Sequence, residues 1–168
     1  GGANPDSCRK KLFEIVNTYK DKIKIGVIKG DDIIDEIHQF NNKGVSFKNL
    51  DSGESFEKIK DKICSANVYI DSFQIKEALN DGADIVLAGR VTDPGLTLGP
   101  LLYEFNWNKN EYNKLASGTL AGHIIECGAQ CTGGNYSRWW EIDDFTNIGY
   151  PIISIQEEGS FTVSKEKD

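Results

Sequence analysis

Apolar positions along the chain change their period several times, and each change marks a new element. Asn4 supplies a capping side chain before Pro5, a residue suited to the first helical position. Leu12, Phe13, Ile15, Val16 and Tyr19 follow at helical spacing. Lys24-Ile25-Gly26-Val27-Ile28 reads as a short strand closed by Lys29-Gly30. Asp31-Asp32 reads as the start of a helix through Ile33, Ile34, Ile37 and Phe40, stopped by Asn41-Asn42-Lys43-Gly44. The pattern weakens from Val45 to Asp61, where an extended piece over 46–50 and a helix over 55–63 are expected.

Beyond that stretch the signals sharpen. Residues 66–70 are strand-like through Val68, Tyr69 and Ile70, and Ser72 reads as the cap of a helix through Ile75, Ala78 and Leu79 that Asp81-Gly82 closes. Residues 84–88 form a continuous apolar strand of the kind covered on both faces. After Gly89-Arg90-Val91-Thr92-Asp93, Pro94 opens a helix through Leu96, Leu98, Leu101, Leu102 and Phe105. A longer helix spans 111–129 and ends near Cys131-Thr132-Gly133-Gly134. An aromatic loop over 136–140 leads to a strand at 152–156 and a hairpin through Glu158-Gly159 to Phe161 and Val163. Strands alternating with long helices predict an α/β fold in a single domain, a largely parallel sheet with helices on both faces.

Composition narrows the function classes. With 39% hydrophobic residues and 10% aromatics among 168, the chain suits a packed core rather than disorder. The net charge is −7 and the lysines are interspersed with Asp and Glu, which argues against nucleic acid as a partner. No apolar run approaches the roughly 20 residues that span a bilayer, so no membrane partner is expected. Without a charged-then-apolar leader, a cytoplasmic setting is expected, with the mitochondrial matrix the alternative in a eukaryote. Cys8, Cys64, Cys127 and Cys131 show no disulfide-framework spacing and are expected to be reduced thiols. The sequence has no Met, which reads as an incomplete piece of a longer chain.

Ligands of parallel sheets bind beyond the carboxyl ends of the strands, and this rule selects four places. The first is the 89–93 turn: Gly89 permits close approach, Arg90 offers a donor fork for carboxylate or phosphate, and Asp93 can orient that fork or act as a base. The structural alternative is that Asp93 caps the next helix and pairs with Arg90. The second is Gly1-Gly2-Ala3-Asn4, a glycine-rich run before a helix start, suited to an anion or to a plain turn. The third is the long helix, where Thr119, His123 and Cys127 recur every four residues and share a face, with Glu126 one position off it. His123 can act as acid or base with Glu126 tuning it, or can sit satisfied in the core; Gly118 and Gly122 permit a neighbour to approach. A metal is not expected, because His123, Cys127 and Cys131 stretch over about 12 Å of helix, too far for one tetrahedral centre without outside ligands. The fourth, Asp31-Asp32, reads mainly as helix-start acids, and His38 as a surface residue.

Taken in order, several stretches form a resemblance. They are Gly1-Gly2-Ala3-Asn4-Pro5, Gly30-Asp31-Asp32, Ser65-Ala66-Asn67-Val68-Tyr69, Asp81-Gly82-Ala83-Asp84-Ile85-Val86 and Gly89-Arg90-Val91-Thr92-Asp93. Ala116-Ser117-Gly118-Thr119-Leu120-Ala121-Gly122-His123, Glu126-Cys127-Gly128-Ala129-Gln130 and Thr132-Gly133-Gly134 continue the series. This ordered set resembles the acyclic terpene utilisation protein A (AtuA-like) family, with a gap over 41–62, and would place the chain inside that family's N-terminal region.

The resemblance implies catabolism of citronellol- and geraniol-type terpenes and branched acyl-CoA breakdown, with acyl-CoA carboxylase subunits as partners of some relatives. The leading expectation is therefore an enzyme or enzyme component that binds an acyl-CoA-like anion. Arg90, Gly89, Asn4 and Thr119 would hold the ligand, and His123 with Asp93 or Glu126 would handle protons. No cofactor is expected; a CoA thioester would be the substrate. The rival is a non-catalytic module that scaffolds or regulates an acyl-CoA carboxylase, and a third reading makes Cys127 a hydrolytic nucleophile. Homo-oligomerisation is expected from general prevalence.

Overall fold

The computed structural model describes residues 4–19 and 22–166. Helix α1 (Pro5–Val16) starts as the sequence dictates: the Asn4 side chain accepts the Ser7 N–H at 2.9 Å and proline takes the first position. Strand β1 (Ile25–Ile28) pairs in parallel with β2 (Ile85–Ala88), in register from Ile25 opposite Ile85 to Ile28 opposite Ala88. Between them lie α2 (Ile37–Asn42), a loop region and α3 (Ser72–Asn80). Beyond β2 come α4 (Gly95–Glu104) and α5 (Tyr112–Cys127), then the antiparallel hairpin of β3 (Ile152–Ile155) and β4 (Phe161–Ser164).

The fold is thus mixed α and β with a small parallel sheet. Among the described residues that sheet stops at two strands, because the expected strand over 66–70 makes only single bridges, Asn67 to Asp32 and Ile70 to Val91. Both α1 and α3 contact the strand pair, yet β1 and β2 stay half-buried along their length, so β2 is less enclosed than its apolar run suggests.

The core sits to one side of the strands, where α3, α4 and α5 meet the hairpin. Leu102 and Trp107 are fully buried and Leu98 nearly so, packed among Phe73, Leu101, Phe105, Leu115 and Ile155. The Trp107 indole N–H donates to the Glu157 carbonyl at 2.7 Å, which locks the hairpin onto the helices. As the sequence suggested, Gly118 and Gly122 let α5 lie close against α4. A Cβ at Gly122 would come within 2.7 Å of the Pro94 carbonyl oxygen, and one at Gly118 within 2.7 Å of Leu98 Cδ1.

Four local expectations are corrected. Asp71, not Ser72, caps α3, accepting the Phe73 N–H at 2.7 Å, while Ser72 is buried inside the first turn. The region over 46–63 contains no strand and no α-helix, only 3-10 turns at Phe56–Lys58 and Lys60–Lys62. Its single buried anchor is Phe56, packed against Phe47 and the edge of His38, and one anchor cannot sustain a helical stripe. Asp31-Asp32 does not begin a helix; α2 starts at Ile37, and Asp31 faces β2. Finally, α5 ends at Cys127, where Gly128 adopts φ +53°, a left-handed conformation that breaks the expected run to 129. No helix among the described residues is long and apolar enough to cross a membrane.

Candidate functional site

Parallel pairing brings the ends of β1 and β2 side by side, so Gly30-Asp31 meets Gly89-Arg90. The Gly89 N–H donates to the Ile28 carbonyl at 3.1 Å, extending the ladder by one rung. The Asp31 side chain then fills the space beside Gly89; a Cβ at Gly89 would overlap its carboxylate. Only glycine lets the two chains approach this closely.

Asp31 is 4% exposed and carries a charge, so its hydrogen bonds decide whether it is tolerated. Its carboxylate accepts the Arg90 backbone N–H at 2.8 Å and the Asn67 amide N–H at 3.0 Å. Burial pushes the carboxyl pKa up, but these bonds, with the backbone amides of Asp31 and Asp32, outweigh it and hold the group below its ordinary value. Asp31 thereby fixes the Arg90 main chain from beneath. The 67–70 segment is tied to the same turn: Ile70 donates to the Arg90 carbonyl at 2.8 Å and Thr92 donates to Ile70 at 3.0 Å.

This clamp leaves the Arg90 side chain half-exposed at the mouth of a cleft. Its guanidinium lies 4.8 Å from the Tyr69 ring centroid and one terminal nitrogen donates to the Asp93 carboxylate. Among the described residues the rest of the fork has no protein partner, so donors remain for a ligand. Asp93 is not the cap of α4, which Pro94 precedes directly, so its carboxylate serves Arg90 instead. The cleft holds about 890 Å³. Its floor is Val86, Leu87 and Ala88 from β2, its polar rim is Arg90, Asp93, Asn67 and Glu126, and Tyr69 and Leu96 add apolar wall. That combination of apolar floor and few convergent polar groups suits a small amphiphilic anion.

The other expected site residues divide. Glu126 on α5 reaches the cleft, and Gly89 lines it. His123 does not line the cleft, but its ring lies beside Glu126 and Cys127, the nearest donor atoms of all three falling within 4.8 Å of one another. Thr119 donates its hydroxyl to the Leu115 carbonyl at 2.7 Å, a bond within its own helix that ties it to no ligand position. Asn4 is likewise engaged as the α1 cap, and Gly1-Gly2-Ala3 lie outside the described residues. Burial pushes the Cys127 thiol up, and the Glu126 carboxylate and neighbouring Cys131 add to that shift, which is the wrong direction for a nucleophile.

Two residues of the cleft, Asn67 and Tyr69, escape a reading from spacing alone. Asp31, beneath it, is among the places the strand-end rule selects, but its position reads mainly as that of a helix-start acid. Asn67 and Tyr69 carry no such signal, because a segment that pairs only through single bridges reads as an ordinary strand.

The family-level sequence model described as acyclic terpene utilisation family protein AtuA matches residues 1–168, the whole chain. No curated protein and no solved structure matches it.

Proposed function

Because the chain belongs to the acyclic terpene utilisation family AtuA, we propose that its cleft at the end of β2 binds an anionic intermediate of acyclic terpene or branched acyl-CoA breakdown, as an enzyme or a component of one. The observation that carries this reading is the Arg90 guanidinium, steadied by Asp93 and Tyr69 above a main chain that buried Asp31 clamps. A phosphate or carboxylate would take the free donors of the fork, charge-assisted and directional. The branched apolar part would lie along Val86, Ala88 and Leu96. Asp93 and Glu126 are the rim carboxylates within reach of a ligand so placed, and either is suited to move a proton. His123, behind Glu126, would orient it or share its proton.

Calorimetric titration with geranyl-CoA and with free CoA tests the reading. Saturable binding of geranyl-CoA that exceeds that of free CoA supports it; no heat and no thermal stabilisation from either ligand removes it.

A second reading, a module that docks on acyl-CoA carboxylase subunits, draws support from another surface. Trp139 and Trp140 are each more than 60% exposed and meet edge to face, and Glu141 and Ile142, which follow them in the chain, line a hollow of about 410 Å³ with Tyr136, Phe145 and Ile148. Exposed aromatic clusters of this kind mark partner-binding surfaces. Association with purified carboxylase subunits in sedimentation, lost on replacement of Trp139 and Trp140 by Ser, would favour it over the ligand-binding role.

A further inference from the structure

The end of α5 gathers donor groups of which the anion-binding reading uses only Glu126 and His123, and those as proton carriers. His123 and Cys127 sit four residues apart on one helix face, and Glu126 lies alongside, with one ligand atom from each within 4.8 Å of the others. A straight helix would carry Cys131 a further turn away. Instead the chain turns at Gly128, where φ is +53°, and short 3-10 geometry over Gly128–Gln130 follows. Cys131, exposed and one turn on from Cys127, lies outside that group of three. The two cysteines are both free thiols. Among the described residues Glu126 has no Lys or Arg partner, and its oxygen faces the Cys127 sulfur at 3.6 Å.

We infer that His123, Glu126 and Cys127, with Cys131 swung in as a fourth donor, form a binding site for a borderline-soft divalent cation of the zinc type. The donor set decides the class: two thiolates and an imidazole select zinc over magnesium or calcium, which take oxygen ligands. Ligand atoms around a tetrahedral zinc lie about 3.3–3.8 Å apart, given Zn–N and Zn–S bonds of about 2.0–2.3 Å. Closing the three clustered donors from 4.8 Å needs movements of about 1 Å at the ends of side chains, two of which, His123 and Glu126, are exposed, while exposed Cys131 must swing further to join them. On binding, the thiol protons are released to solvent and four protein donors close the shell. The ion would staple the end of α5 to the turn that follows, at the edge of the Arg90 cleft that Glu126 also lines. With the site filled, His123 and Glu126 are ligands rather than proton carriers, and Asp93 alone keeps that role. The inference stands without the anion-binding reading, since the donors lie together whatever the cleft holds.

The test uses the purified protein, reduced and stripped of metal, titrated with Zn2+ and with Co2+. One equivalent of zinc should bind, and the cobalt form should show thiolate-to-metal charge-transfer absorption with tetrahedral d–d bands. His123→Ala, Cys127→Ser and Cys131→Ser should each weaken zinc by more than about tenfold, since even changes outside the ligand shell cost that much. Cys64→Ser should leave it unchanged. The cobalt spectrum of the unmodified protein is read independently of whether the variants fold. Absence of charge-transfer absorption, or zinc affinity equal in Cys127→Ser and the unmodified protein, overturns the inference. Geranyl-CoA binding is measured on metal-free protein, so a failure of one proposal leaves the other standing.

Discussion

The carboxylate of Asp31 accepts the backbone N–H of Arg90 at 2.8 Å, joining the ends of two strands that lie 59 residues apart in sequence. The bond sets a buried carboxylate against the main chain of a residue whose guanidinium is half-exposed and pairs with Asp93 instead. Asp31 therefore acts on the cleft through the main chain, and its removal should disturb stability and binding together.

Replacing Asp31 with Ala leaves the Arg90 N–H and the Asn67 amide without their acceptor. Unsatisfied buried donors cost about 1–3 kcal/mol, and a loss of that size is expected in urea unfolding. Asp31→Asn should cost less, because both bonds go to Oδ2 and an amide oxygen in its place can still accept them. Equal stability of Asp31→Ala and the unmodified protein would show that the clamp holds nothing.

The same carboxyl makes an acid-limb prediction. Its folded pKa lies below the ordinary value of 3.8, so its stabilisation is complete above that value and is lost as pH falls through the lower folded pKa. The gap in melting temperature between the unmodified protein and Asp31→Asn should narrow as pH drops from about 4 towards 2. Asp6, Glu57, Glu111, Asp144 and Glu158 are also held low, but they contribute alike to both proteins and cancel in the comparison. A gap that stays constant to the lowest pH would contradict the assignment.

Gly89 and Asp31 should be energetically coupled. A methyl at position 89 overlaps the Asp31 carboxylate, so Gly89→Ala is expected to destabilise by about 1–3 kcal/mol. In the Asp31→Ala background the space is open, and the double variant should lose less than the sum of the two singles. Strict additivity in denaturant unfolding would mean that the close approach is not what constrains Gly89.

Much of this architecture is legible in the chain. The apolar runs of β1 and β2, the helical stripes of α3 and α4 and the turn at Glu158-Gly159 are local signals, and the elements follow them. What escaped is set by contacts distant in sequence or by a single residue. Asp31 looks like a helix-start acid until β2 is laid beside it. Tyr69 looks like a strand residue until Arg90 is placed over its ring. The loop over 46–63 has only Phe56 as a buried anchor, so periodicity has nothing to register there. The left-handed Gly128 cut α5 short of the expected run to 129.

Core substitutions give a control that separates folding from binding. Trp107 is fully buried, and Trp107→Ala is expected to cost about 3–5 kcal/mol in chemical denaturation. Trp107→Phe should cost less, keeping most of the packing but leaving the Glu157 carbonyl without its 2.7 Å partner. Neither residue lines the cleft, so geranyl-CoA affinity in the folded fraction of Trp107→Phe should match that of the unmodified protein.

The measurement that bears most directly on the cleft is the affinity for geranyl-CoA before and after Arg90→Ala. The side chain is half-exposed and not part of the core, so the variant should fold with an unchanged melting temperature. Losing a charge-assisted hydrogen bond is worth about 1.5–3 kcal/mol, so the dissociation constant should rise on the order of ten- to a hundredfold. Geranyl-CoA bound equally well by Arg90→Ala and the unmodified protein would contradict the account and move the ligand site away from the end of β2.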